Sequence, residues 1–124
     1  SYMNPFRDQE KFMKACDQTT DDWNVAQFNL YVNLIEEELG ELKVAINDCD
    51  SKEVVDALTD ILVVTIGAAH SIGCDIEGAW KEVMKTNFAK IGEDGKVRKR
   101  EDGKVLKPVG WVPPNLEPFV KKDV

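Results

Sequence analysis

The apolar spacing between Phe28 and Ile46 constrains this chain more than any other feature. Phe28, Tyr31, Ile35, Leu39, Leu42 and Ile46 recur every three or four residues, the period of one face of an α-helix. Leu30, Leu34 and Ala45 add a second stripe beside it. The spacing predicts one long helix from about Asp22 to Asn47, roughly 38 Å at about 1.5 Å per residue.

Shorter segments flank it. Asn4-Pro5 offers an N-cap followed by proline at the first helical position. A helix is expected from there to about Asp17, with Phe6, Phe12, Met13 and Cys16 on its apolar side. Gln18-Thr19-Thr20-Asp21 reads as a break and a new cap. Asp48-Cys49-Asp50-Ser51 reads as a turn and cap before a third helix, from about Lys52 to Ser71, that stops near Gly73. Val54, Leu58, Ile61, Thr65 and Ala68 form one of its faces; Val55, Leu62, Ile66 and Ala69 widen it, so this helix should be central. Asp75 is expected to cap a fourth helix running to about Lys90, with Ile76, Trp80, Val83 and Phe88 as core candidates. Short connections make consecutive helices antiparallel neighbours. The expectation is an all-α fold: an antiparallel four-helix bundle core over about residues 5–91, within a single domain of 124 residues.

The remainder, about residues 92–124, has another character. Glu93-Asp94-Gly95-Lys96-Val97 recurs eight residues later as Glu101-Asp102-Gly103-Lys104-Val105. Each Asp-Gly is a turn signal followed by a short strand-like piece, which predicts a β-hairpin-like tail. Lys107-Pro108 and Trp111-Val112-Pro113-Pro114 then suggest an extended segment laid over the bundle or a partner subunit.

Composition removes several classes of function. The longest apolar stretch, Ile61 to Ala69, is nine residues and too short to span a bilayer. The opening Ser1-Tyr2-Met3-Asn4-Pro5 has neither a basic nor an apolar region, so no signal peptide is expected. Cys16, Cys49 and Cys74 are widely spaced and odd in number, which argues against a disulfide scaffold and fits a reducing cytoplasm. One histidine, His70, leaves little room for a His-rich metal centre, and reads as a helix-end residue. Neither GxxxxGK[ST] nor GxGxxG occurs. Residues 1–80 carry 5 Lys/Arg against 16 Asp/Glu, while residues 81–107 carry 9 against 5. That balance suits a divalent cation with a small phosphorylated ligand better than a nucleic acid polymer.

The acidic residues fall on two neighbouring helices. Glu38 and Glu41 are i,i+3, and Glu37 and Glu41 are i,i+4, so each pair shares a face and repels when ionised. Glu38 and Glu41 also continue the Leu30–Leu34 stripe toward Ala45. Glu53, Asp56 and Asp60 share a face of the third helix. Antiparallel packing would bring four to six carboxylates together. Oxygen ligands without histidine suit Mg²⁺, or Mn²⁺, rather than zinc. A run of glutamates is by itself an ordinary solvated face, and Glu53 also fits as the capping-box partner of Asp50. Asp56 and Asp60 inside an apolar helix are harder to explain without a partner.

Glu37-Glu38-Leu39-Gly40-Glu41 matches EExxE, and Asp56-Ala57-Leu58-Thr59-Asp60-Ile61-Leu62 follows on an acidic second helix. With Ile72-Gly73-Cys74-Asp75-Ile76, Asn87-x-x-Lys90, the Asp102-Gly103-Lys104…Leu106-Lys107-Pro108 tail and Trp111-Val112-Pro113-Pro114, the order resembles that of the MazG-like, phosphoribosyl-ATP-pyrophosphohydrolase-like all-α NTP pyrophosphatases. The resemblance covers about residues 25–116. It departs at one point: the family's second motif is usually ExxD, and if Asp60 is its Asp, Ala57 occupies the Glu position. Asp56 supplies the missing carboxylate from a shifted angle, or Glu53-x-x-Asp56 is the motif displaced by one turn; the spacing leaves both open.

The resemblance implies Mg²⁺-dependent hydrolysis of a (deoxy)nucleoside triphosphate to the monophosphate and pyrophosphate. It implies Glu38, Glu41, Asp56 and Asp60 as metal ligands, and Glu37 and Glu38 in activating the water. Asn87, Lys90 and Lys107 would meet phosphate oxygens, and Phe12 and Asn33 the base. It implies a homodimer or a dimer of dimers. Two other readings compete: a non-catalytic helical oligomer that binds nucleotide or a protein partner, for which Ala57 is the argument, and a bundle whose carboxylates only bind ions. A Nudix hydrolase is disfavoured, because Asn33-Leu34 stand where that motif needs an Arg-Glu pair.

Overall fold

Three asparagine and aspartate caps divide the first part of the chain into helices. A computed structural model describes residues 4–122. Asn4 Oδ1 accepts from the Arg7 amide at 2.8 Å, opening α1 at Pro5–Ala15. Asn24 Oδ1 accepts from Gln27 at 3.1 Å, opening α2 at Val25–Asn47. Asp50 Oδ1 accepts from Glu53 at 3.2 Å, opening α3 at Ser51–His70. Each satisfies an amide that the first helical turn leaves without a partner. α2 starts three residues later than the sequence suggests, because Trp23 is engaged in an isolated antiparallel bridge with Ile72. Helix α4 covers Ile76–Phe88, and one 3₁₀ turn covers Glu117–Phe119.

The helices belong to two compact units. Residues 4–76 and 120–122 form the first, and Glu77–Phe119 the second. Within the first unit α2 and α3 are antiparallel. As α2 advances from Gln27 to Tyr31, its partner on α3 retreats from Ser71 to Gly67. The Tyr31 ring lies so close to Gly67 that a Cβ there would sit 2.4 Å from a ring carbon, which is why this position is glycine. Met13, Tyr31, Val64 and Ala68 form the core, with Phe28, Leu34 and Ile35 against it. Tyr31 also donates its hydroxyl to Gln18 Oε1 at 2.5 Å.

α3 is central to this unit, as its apolar breadth predicts, packing on both α2 and α1. His70 is buried where α1 meets α3, its Nε2–H donating to the Phe6 carbonyl at 2.9 Å. The buried apolar line on α3 is Ala57, Val64 and Ala68. Val55, Leu58 and Leu62 remain exposed, as do Leu39 and Ile46 on α2 and Phe12 on α1. The chain returns to this unit at Lys121, whose carbonyl accepts the Trp23 Nε1–H at 2.6 Å and whose Nζ donates to the Asp21 carbonyl at 3.0 Å.

The β-hairpin-like tail is not what the chain forms. No strand occurs among the described residues, and beyond the turns the tail's pairing amounts to an isolated bridge, Lys99 with Val105. The two Asp-Gly repeats instead build two copies of one tight turn. Gly95 and Gly103 take φ of +77° and +87°, while Asp94 and Asp102 Oδ1 accept the Lys96 and Lys104 amides, each at 3.0 Å. The Gly92 amide reaches the Lys96 carbonyl, and Arg100 that of Lys104, each at 2.8 Å. Each repeat closes on itself as a tight turn, and the cross-pairing between the flanking residues stops at one bridge, so no ladder grows. Beyond them Trp111 donates Nε1–H to the Thr86 carbonyl of α4 at 2.7 Å, and the Asn115 amide reaches Glu82 Oε1 at 3.2 Å. Trp80 and Phe88, core candidates by spacing, are exposed at 56% and 60%; Thr86 is the buried residue of α4. Among the described residues no helix is long and apolar enough to cross a membrane.

Candidate functional site

The antiparallel register of α2 and α3 sets Glu38 against Asp60. Glu38 is half-buried, and its Oε2 is shut away from solvent without a hydrogen-bond partner among the described residues. Burial pushes its carboxyl up to about 7; a hydrogen bond with Glu41 and the charges of Glu41, Asp60 and Asp56 push in the same direction. Asp60 is raised for the same reasons: burial first, then the charges of Asp56 and Glu41. These four carboxylates sense one another, as the facing EExxE and acidic-helix segments predict. Beside them lies a groove of about 860 Å³ lined by Glu37, Gly40, Glu41, Val44, Ala45, Asp48, Asp50, Glu53 and Asp56. A side chain at Gly40 would meet nothing within 4 Å, so the groove is open over that turn.

Ala57, which takes the Glu position of ExxD if Asp60 is its Asp, is buried at 3% exposure. Asp56 lines the groove and acts on both Glu38 and Asp60; Glu53 lines it too, but its nearest service is to α3, its amide held by the Asp50 cap. Asp48 and Asp50, which spacing marks only as turn and cap residues, also line the groove. Their signal was their place in the α2–α3 turn, next to Glu53.

The donor set is all oxygen, and Glu38 offers a buried lone pair that no protein donor satisfies. Both fit a hard divalent cation. Among the described residues no three acidic, cysteine or histidine side chains converge into a ready cage.

The second unit holds the expected phosphate ligands. Lys90 Nζ donates to Asn87 Oδ1 at 3.0 Å. Lys90 and Lys107 lie 5.3 and 5.0 Å from the centroid of the Trp111 ring, so the structure places Lys90, with Asn87 bonded to it, and Lys107 beside one tryptophan. Phe12 stands 62% exposed on α1, which excludes a core role. Asn33 is exposed on α2, one turn before Glu37.

The fold and site define a class: all-α proteins with carboxylates on two facing antiparallel helices. The comparison with known families narrows it. The family model for phosphoribosyl-ATP pyrophosphohydrolase matches residues 7–87, and the chain belongs to this MazG-like family of all-α NTP pyrophosphatases. The match includes every carboxylate of the site and ends at Asn87, before Lys90 and Lys107. The chain is also similar to Uncharacterized protein L479 of Acanthamoeba polyphaga mimivirus, 34% identical over 80 residues. The aligned stretch covers 63% of this chain and spans 32% of that protein's length.

Proposed function

We propose that this protein is a Mg²⁺-dependent nucleoside triphosphate pyrophosphohydrolase, with Mn²⁺ as a possible substitute, that converts a (deoxy)nucleoside triphosphate to the monophosphate and pyrophosphate. The observation that carries the reading is the buried, unpartnered Glu38 oxygen among Glu41, Asp56 and Asp60. Raised carboxyls beside one another in a groove are a recurring mark of a functional site, and a cation would offset their charge.

Glu38, Glu41, Asp56 and Asp60 would hold the cation. When bound, the ion offsets phosphate charge and acidifies a water. Glu37, on the groove wall, takes the proton of the attacking water as general base, and Glu38 fixes the position of that water. The water oxygen bonds to the α-phosphorus, the α–β bridging bond breaks, and the electron pair leaves with pyrophosphate. Asn87, Lys90 and Lys107 donate to phosphate oxygens, stabilising charge on the departing group. Phe12 and Asn33 are assigned to the base, Phe12 by stacking and Asn33 through its amide.

The exposed Leu39, Ile46, Val55, Leu58 and Leu62 support assembly as a homodimer or dimer of dimers. The three free thiols support a reducing, cytoplasmic setting. Neither a nucleic acid polymer nor a membrane is assigned as a partner.

Product analysis tests the chemistry. Incubating each dNTP, dUTP and rNTP with the protein and Mg²⁺ should give monophosphate and pyrophosphate in equal amounts from a preferred nucleotide. Release of diphosphate and orthophosphate would contradict attack at the α-phosphorus. Thermal stabilisation by nucleotide with no turnover of any substrate would favour the non-catalytic reading, for which Ala57 remains the argument.

A further inference from the structure

We propose that Trp111 is a positioning residue that holds Lys90 and Lys107 together as one phosphate-binding pair, an inference that rests on the role given to those lysines above. The two are 17 residues apart in sequence, yet both Nζ atoms lie over one ring, at 5.3 and 5.0 Å from its centroid. Among the described residues neither forms an ion pair with a carboxylate. Both ammonium groups stand within 5.3 Å of one ring centroid, and a neutral ring offsets their charge only in part. The pair therefore carries positive charge that the protein leaves unneutralised, and an anion with several oxygens completes it.

The ring is fixed well enough to do this. Its Nε1–H donates to the Thr86 carbonyl at 2.7 Å, and Thr86 is itself buried. The Trp111 amide donates to the Pro108 carbonyl at 3.0 Å, in a turn that Gly110 closes at φ +79°. That turn begins directly after Lys107, so anchoring the ring on α4 also sets where the Lys107 backbone stands. Lys90 is held from the other side by Asn87 Oδ1 at 3.0 Å.

The probe is inorganic pyrophosphate with Mg²⁺, its affinity for the full chain measured by calorimetry beside KM and kcat for the preferred nucleotide. Trp111→Leu removes the ring face and should weaken pyrophosphate binding about tenfold, raising KM in proportion with kcat little changed. Lys107→Ala should match it, and the double variant should lose little more than either single change. Trp111→Phe keeps a ring face without the N–H and should recover affinity to within about threefold of wild type. A tryptophan that served folding alone would lower the melting temperature of both ring variants without this split. Wild-type pyrophosphate affinity in Trp111→Leu, with loss in Lys107→Ala, would overturn the proposal and leave the phosphate role intact. Unchanged affinity in Lys90→Ala and Lys107→Ala would overturn the phosphate role itself. If Trp111→Leu does not fold, the wild-type protein decides by NMR: the Hε signals of Lys90 and Lys107 should be shifted upfield by the ring and move with pyrophosphate, and unshifted signals would refute the proposal.

Discussion

At the residue scale, the free energy of the site turns on one group. Glu38 is raised from an ordinary value of 4.5 to about 7 by burial and by its acidic neighbours. Folding therefore favours its protonated form, so this contribution to stability is fully present below about pH 4.5 and is lost as pH rises through 7. Asp60 shifts in the same direction. Asp22, Glu82 and Asp102 are lowered by their hydrogen bonds and cations, and their contribution is lost instead as pH falls through the acid range. Metal-free protein should accordingly lose thermal stability between pH 5 and 8, and Mg²⁺ should restore it most at the alkaline end. Glu38→Gln should flatten that slope and melt higher than wild type without metal, because an amide carries no buried charge. Melting curves across pH, with and without Mg²⁺, check this; a Glu38→Gln variant with the wild-type slope would show that the charge is not buried as described.

At the element scale, helix ends repeat one device. α1 and α2 both close with the residue two beyond the cap donating five residues back: Gln18 to the Met13 carbonyl at 2.9 Å, and Asp50 to that of Ala45 at 3.0 Å. The residue between must adopt a left-handed backbone, and here Asp17 and Cys49 do so at φ 58° and 53°. Only Gly73, at the end of α3, announces such a stop in the sequence. Cys49 is exposed with a free thiol, so Cys49→Gly removes strain without removing packing. It should raise stability by up to about 1 kcal/mol, read as a higher melting temperature; an unchanged or lower value would place the strain elsewhere. The same comparison shows why boundaries were legible only in part. Caps at Asn4 and Asp50 are local chemistry and can be read from spacing. The later start of α2 depends on Trp23 meeting Ile72, a contact no local pattern encodes. The two Asp-Gly turns were legible as turns, but whether strands grow from them depends on how many amides remain free.

At the scale of the whole molecule, the facing of the two acidic helices was legible and the apolar surface was not. Two helical periods and a short turn suffice to bring Glu38 and Glu41 to Asp56 and Asp60. Burial is a tertiary property: by spacing alone Leu58 and Leu62 belong to the core, yet they stand 49% and 63% exposed beside Val55 at 62%. The assembly reading predicts that the wild-type chain sediments as a dimer or larger and that Leu62→Asp sediments as a monomer while remaining helical; a monomeric wild type would contradict it. The central claim is catalysis by these carboxylates, and pyrophosphate release tests it most directly. The assay runs the nucleotide panel with and without Mg²⁺ for wild type, Glu38→Gln and Asp60→Asn, each shown to be folded. The account predicts metal-dependent release from a preferred nucleotide, reduced at least about a hundredfold in both variants. Equal release in the variants, or none from a folded wild type, would contradict it.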